Sequence, residues 1–219
     1  SELITVYKKT VTVKANWKTC LDAFMEVYHA PTIHKDTVNI LLDGNAMVAG
    51  LLKNGHSRMV TPKKMNLDGG FLGAEEADYV PYIETCDKIH AQTNVAYGMF
   101  PNFITPTDTS GYPAILFWPK GLKETEFEWT QLAPKWPGNE KPDYWNEQEV
   151  SFDSIMDEDF QNLEPMQRSH DSGVFESMPL NYQERRIYYY HQVIDDWIGR
   201  ENLPDSIQVP NVLDPFIET

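Results

Sequence analysis

The stretch NVAYGMFPNFITPTDTSGYPAILFWPKGLKETEFEWTQLA, residues 94–133, sets the fold class. It holds three runs rich in β-branched and aromatic residues, at 94–105, 112–119 and 124–133. Gly111 and Gly121 punctuate them as hairpin turns do, so the runs read as an antiparallel meander. Outward from this centre the pattern changes. Upstream, residues 3–14 alternate as a strand, and shorter strand-like runs occupy 45–52 and 56–61. Asn16 is a plausible cap for a helix from Trp17 to His29, with Cys20, Leu21, Phe24 and Val27 on one face. Residues 62–79, with Gly69, Gly70 and Gly73, read as a loop, and Pro81 as the start of a helix to Ala91. Downstream, 134–146 reads as an ordered loop and 147–169 as an acidic helix. A second helix over 182–199 carries Ile187, Tyr190, Ile194, Trp197 and Ile198 on one side. The tail from Asn202 reads as irregular. This order predicts an α+β domain, an antiparallel sheet with helices on one side. Such a sheet gripping a long helix leaves an apolar pocket between them.

Composition narrows the function classes. With 219 residues and 41% hydrophobic content, the chain can bury a real core. A net charge of −15 argues against nucleic acid or an anionic membrane surface as partner. No apolar run approaches the roughly 20 residues of a membrane span. Two cysteines, Cys20 and Cys86, form no disulfide framework, and a reducing, cytoplasmic setting fits them best.

The chemistry concentrates in Glu26-Val-Tyr-His29-Ala-Pro-Thr-Ile-His34. On one unbroken helix, His29 and His34 would point about 140° apart. Pro31 disfavours helical geometry at Ala30, so the helix should end near His29 and let the chain double back. Both imidazoles could then reach one point, a donor pair suited to Fe(II), Zn(II) or Ni(II). The bland alternative is a helix-end His29 and a surface His34. A third ligand is sought in the acidic helix. There Phe152, Ile155, Met156, Phe160 and Leu163 form an apolar stripe, and Asp159 sits beside it. A carboxylate next to a core-facing stripe needs a charge partner. Two histidines and one carboxylate form the triad of non-heme Fe(II) oxygenases.

Asn16-Trp17-Lys18, Phe24 and Glu26-x-Tyr28-His29-x-Pro31-Thr32-x-His34 resemble the iron-binding signature of Rieske oxygenase α-subunits. Glu158-Asp159, Glu164 and Gln167-Arg168 are similar to the helix that supplies that family's carboxylate, and Pro101-Asn102 resembles a feature of its sheet. The resemblance runs from about Val6 to Trp197. It implies a helix-grip catalytic domain of the Bet v 1/START type over 1–219, with His29, His34 and Asp159 binding one Fe(2+). It implies that Glu26 bridges to a Rieske-cluster histidine of an adjacent subunit and passes an electron. It further implies O2 and an apolar, usually aromatic, substrate. A Rieske domain, ferredoxin or reductase would donate electrons to a trimer-based homo-oligomer. The chain departs from the family at Asp22-Ala23, where many relatives have Glu-Asn. A [2Fe-2S] Rieske cluster needs Cys-x-His and Cys-x-x-His, and neither follows Cys20 or Cys86. The cluster is therefore expected on a domain or subunit outside this sequence, with a stand-alone relative as the second option.

Phe24, Met25, Met47, Met99, Phe100 and Phe103 are candidates for the pocket wall, and each is equally an ordinary core residue. Asn102 either offers a hydrogen bond to substrate or caps a turn. His170 is a candidate partner for a ligand; His56, His90 and His191 carry no assigned role. Two other classes stay open: a metal-free carrier of hydrophobic ligands on the same fold, and a zinc hydrolase with Glu26 as general base.

Overall fold

The computed structural model describes residues 2–64, 81–175 and 177–218. Its centre is an eight-stranded sheet in the order β1-β7-β6-β5-β4-β3-β2-β8. The strands are β1 Leu3–Val13, β2 Val48–Leu52, β3 Ser57–Pro62, β4 Thr93–Met99, β5 Phe103–Thr107, β6 Tyr112–Gly121, β7 Glu124–Pro134 and β8 Ile217–Glu218. Every pairing is antiparallel except β2 with β8 at one edge. The other edge, β1, pairs with β7 from Leu3↔Pro134 to Val13↔Thr125, with a register shift between Thr5 and Tyr7. The helices are α1 Trp17–Phe24, α2 Ala30–Ile33, α3 Val38–Leu41, α4 Lys88–Gln92, α5 Asp143–Asp171 and α6 Arg185–Ile198.

The α+β reading holds: α1, α5 and α6 share one core with the sheet. Cys20, Leu21 and Met25 meet Ile104, Ile115, Phe117, Phe127 and Trp129 from the strands. Met156 and Leu163 of α5 and Ile187, Tyr190 and Ile194 of α6 complete it. Edge-on rings lock the layers: Phe24 on Phe117 at 5.4 Å between centroids, and Phe160 on Phe127 at 4.9 Å. The stripe read on the acidic helix is thus the face that packs. Among the described residues, no helix is long and apolar enough to cross a membrane.

Several local expectations need correction. The first helix does not reach His29; it stops at Phe24, with Asn16 capping it by accepting from the Lys18 N–H at 2.9 Å. Pro31 does not end a helix but sits in the first turn of α2, where its missing N–H leaves no bond unmade. The helix expected from Pro81 is only α4, because the Asp87 side chain caps it by accepting from the His90 N–H. The run 94–105 is two strands, β4 and β5, separated by a turn at Phe100–Asn102. The Asn102 amide ties that turn to the Phe117 carbonyl at 3.1 Å. The acidic helix begins earlier, at Asp143, inside the expected loop. On α6, Trp197 and Ile198 are exposed rather than core-facing. The tail is not wholly irregular: β8 pairs with Leu51 and Leu52. Most of the loop expected over 62–79 lies outside the described residues.

Candidate metal centre

Two distant segments build the site. The first is the turn between α1 and α2. The Glu26 carboxylate accepts from the backbone N–H groups of Tyr28 and His29, the latter at 3.1 Å. Its other oxygen meets His29 Nδ1. Glu26 and His29 therefore face each other, through a carboxylate-closed turn and not a helical turn. The second segment is α5, which presents Asp159 among buried residues while Asp157 faces solvent.

The donors converge. One ligand atom each from His29, His34 and Asp159 lies within 4.8 Å of the others. Asp159 Oδ1 is 3.1 Å from His34 Nε2 and 3.6 Å from His29 Nε2. Two donors on adjacent positions of one small cation, each about 2.1 Å from it, stand about 3 Å apart. The donor set therefore fits a ferrous or similar ion in chemistry, and the two carboxylate–imidazole separations suit its spacing. On the outer side of His34, Nδ1 meets Glu158 Oε2 at 2.6 Å, and Thr37 donates to that oxygen at 2.7 Å. A ring that donates from Nδ1 offers the Nε2 lone pair inward. Burial disfavours the His34 imidazolium, but Asp159 and Glu158 more than offset it and raise its pKa above the ordinary value. The role of Glu158 was not legible in the sequence, where it reads as an exposed neighbour of Asp159.

His29, His34, Glu26 and Asp159 border a cavity of about 170 Å³ between the sheet and α5. Its wall is mainly apolar and includes Phe24, Ile104, Ile115, Phe152, Ile155 and Met156. Of the residues expected to line it, Phe24 does; Met25, Asn102, Phe103, Met47, Met99 and Phe100 do not. Met25 is core, Met47 packs in a separate cluster with Val27 and Met59, and Met99 is exposed. Phe100 instead makes tilted ring contacts with Tyr190 and Trp197. A more open depression holds Asp22, His170 and His191, with none of the three donors. There His191 meets Asp22 at 2.9 Å and His170 approaches Thr19 at 3.4 Å, so His170 does not support a ligand. His56 accepts from the Phe100 N–H, and His90 pairs with Asp87.

Burial pushes the Cys20 thiol up to about 12. Cys86 is also raised, mainly by burial.

A family model described as ring hydroxylating alpha subunit (catalytic domain) matches residues 1–200. No curated protein matches the chain in sequence. Among solved structures, the quaternary ammonium Rieske monooxygenase CntA in complex with an inhibitor aligns with TM-score 0.69 at 13% identity, over 90% of this chain and 50% of that one. Naphthalene 1,2-dioxygenase from Rhodococcus sp., bound to indole, aligns at 0.59 and 17%, over 90% and 56%. Dicamba monooxygenase bound to 3,6 dichlorosalicylic acid aligns at 0.57 and 11%, over 93% and 61%. The chain thus spans roughly half of each solved relative, and at these identities the likeness shows the shared fold alone.

Proposed function

We propose a function from one premise: the chain belongs to the family of ring hydroxylating alpha subunit catalytic domains. On that premise it is the oxygenase domain of a Rieske-type enzyme, and His29, His34 and Asp159 hold one ferrous ion. The supporting observation is the meeting of three donors from segments 125 residues apart at the wall of an apolar cavity. When bound, iron of this ligation supplies reductive activation of O2, with electrons from a Rieske cluster outside this sequence. The chain's own residues do the rest. Glu26 fixes the His29 ring through Nδ1, and Glu158 fixes His34 in the same way. Glu26 also receives the electron from a docked Rieske domain, in a half-buried turn whose Tyr28 is exposed. Phe24, Phe152, Ile155 and Met156 exclude water and position an apolar, aromatic substrate.

The test is anaerobic loading with Fe(II). About one iron per chain is expected, with a paramagnetic resonance signal that appears on adding nitric oxide. Sub-stoichiometric iron, or a preference for zinc with no response to nitric oxide, would overturn the reading. The support given by Glu158 has its own expected result. Glu158→Ala leaves His34 Nδ1 without its acceptor and weakens metal affinity about 10–100-fold. Competition against a chromophoric chelator measures it; an unchanged affinity would show that Glu158 does not orient the ring.

A further inference from the structure

The cavity has two chemically different ends. Helix α5 runs along it, contributing Gln148 near one end and Asp159 at the other. Eleven residues of helix rise separate them by about 16 Å. The Asp159 end carries the three donors and Glu26. The far end carries uncharged polar groups, Ser110, Gln131 and Gln148, together with one carboxylate, Asp108.

At the metal end Glu26 and Asp159 face the two imidazoles, and at the far end the one carboxylate has a cation of its own. Asp108 pairs with Lys63 Nζ at 3.1 Å, both side chains less than a tenth exposed. Asp108 further accepts from the Thr109 N–H and hydroxyl, at 2.5 and 3.0 Å. Among the described residues no Lys or Arg lines the cavity. Residues 65–80, Met-Asn-Leu-Asp-Gly-Gly-Phe-Leu-Gly-Ala-Glu-Glu-Ala-Asp-Tyr-Val, contain no Lys, Arg or His either.

Resting on the oxygenase reading above, we infer that this site takes an uncharged, elongated apolar substrate with a hydrogen-bonding group remote from the metal, and that the Lys63–Asp108 pair enforces the neutrality. An anionic substrate would lose its hydration and meet no counter-ion, which is the costly way to bury a charge. A cationic one would have to take Asp108 from Lys63 and leave a buried ammonium unpaired. A neutral amide, carbonyl or hydroxyl at the far end meets Ser110, Gln131 and Gln148 without either penalty. A site rejects a competitor most strongly when binding leaves a buried polar group unpaired. Asp108 and Lys63 therefore act on specificity through charge and take no part in the reaction.

Three probes of one shape test this: biphenyl-4-ol, biphenyl-4-carboxylate and biphenyl-4-methylammonium. Binding is read by calorimetry and by the fluorescence of the protein, in which Trp145 lines the cavity. Each titration is done metal-free and metal-loaded. The phenol is expected to bind at least tenfold more tightly than either charged probe in both forms. Equal or tighter binding of either charged probe, or no binding of the phenol, overturns the inference. Asp108→Asn, which frees the Lys63 ammonium, is expected to raise carboxylate affinity about tenfold relative to the phenol; if the folded variant shows no such gain, the role of the pair is overturned. Should that variant not fold, the unmodified chain still decides through the three probes. Iron stoichiometry on the same samples reports separately on the oxygenase reading, so a failure of one is distinguishable from a failure of the other.

Discussion

Asp159→Ala is expected to abolish ferrous-ion binding, weakening it at least a thousandfold, about 4 kcal/mol. The two imidazoles would remain, but Asp159 is the only one of the three donors that carries negative charge and the one whose oxygen stands 3.1 Å from His34 and 3.6 Å from His29. The change also removes a carboxylate from an apolar wall, so the metal-free fold should not suffer. Thermal unfolding separates the two effects. A ligand present at a hundred times its dissociation constant stabilises a fold by about 2.7 kcal/mol. The unaltered chain should therefore show a clear upward shift in Tm on adding Fe(II), and the variant none. An Asp159→Ala protein that still binds iron within tenfold of the original would mean that the cation sits on other atoms.

The second large effect belongs to a residue behind the cavity wall. Arg186 is wholly buried. Its guanidinium donates to Ser57 Oγ at 3.0 Å, to the Met25 carbonyl at 3.0 Å and to the Ala96 carbonyl at 3.4 Å. Burial pushes it down to about 9, partly opposed by the charge of Glu26, so it stays charged at neutral pH. One side chain thus ties α6 to β3, to β4 and to the residue just before the Glu26 turn. Arg186→Ala is expected to destabilise the chain by about 3–5 kcal/mol, from a large void and three acceptors stripped of their donor. Urea unfolding would measure this as a lowered midpoint at unchanged slope. Arg186→Lys should recover little, since a single ammonium cannot reproduce the guanidinium fork. A loss below about 1 kcal/mol would show that the three bonds are dispensable.

Much of this architecture could be read from the chain alone, for local reasons. Alternating β-branched residues and paired turns made β6 and β7 visible, and the apolar stripe of α5 is periodic enough to reveal both a helix and its buried face. Spacing alone leaves His29 as a helix-end residue and His34 as a surface one; it is the likeness of the surrounding motifs to the Rieske oxygenase signature, and the apolar stripe beside Asp159, that single out His29, His34 and Asp159. What stayed hidden depends on distant partners. Nothing between Phe24 and His29 is a helix breaker; α1 ends because the Glu26 carboxylate captures the N–H groups of Tyr28 and His29. Arg186, beside Ile187, reads as a surface residue until its acceptors on β3 and β4 are in place. Glu158 likewise gains its meaning only from His34 and Thr37. The pairing of β8 with β2 joins residues more than 160 positions apart, which no short-range pattern can announce.

The shifted register in β1 bears on the open margin of the sheet. Among the described residues that strand has β7 as its sole neighbour, so one margin of its backbone is unpaired over an 11-residue length. A straight, apolar margin of that length would invite copies to zip together edge to edge. The irregularity at Thr5–Tyr7 breaks its straightness, and the adjacent Lys8 and Lys9, paired with Glu128 and Asp153, put charged side chains rather than apolar ones beside it. Both departures from an ideal strand work against edge-to-edge pairing along this margin.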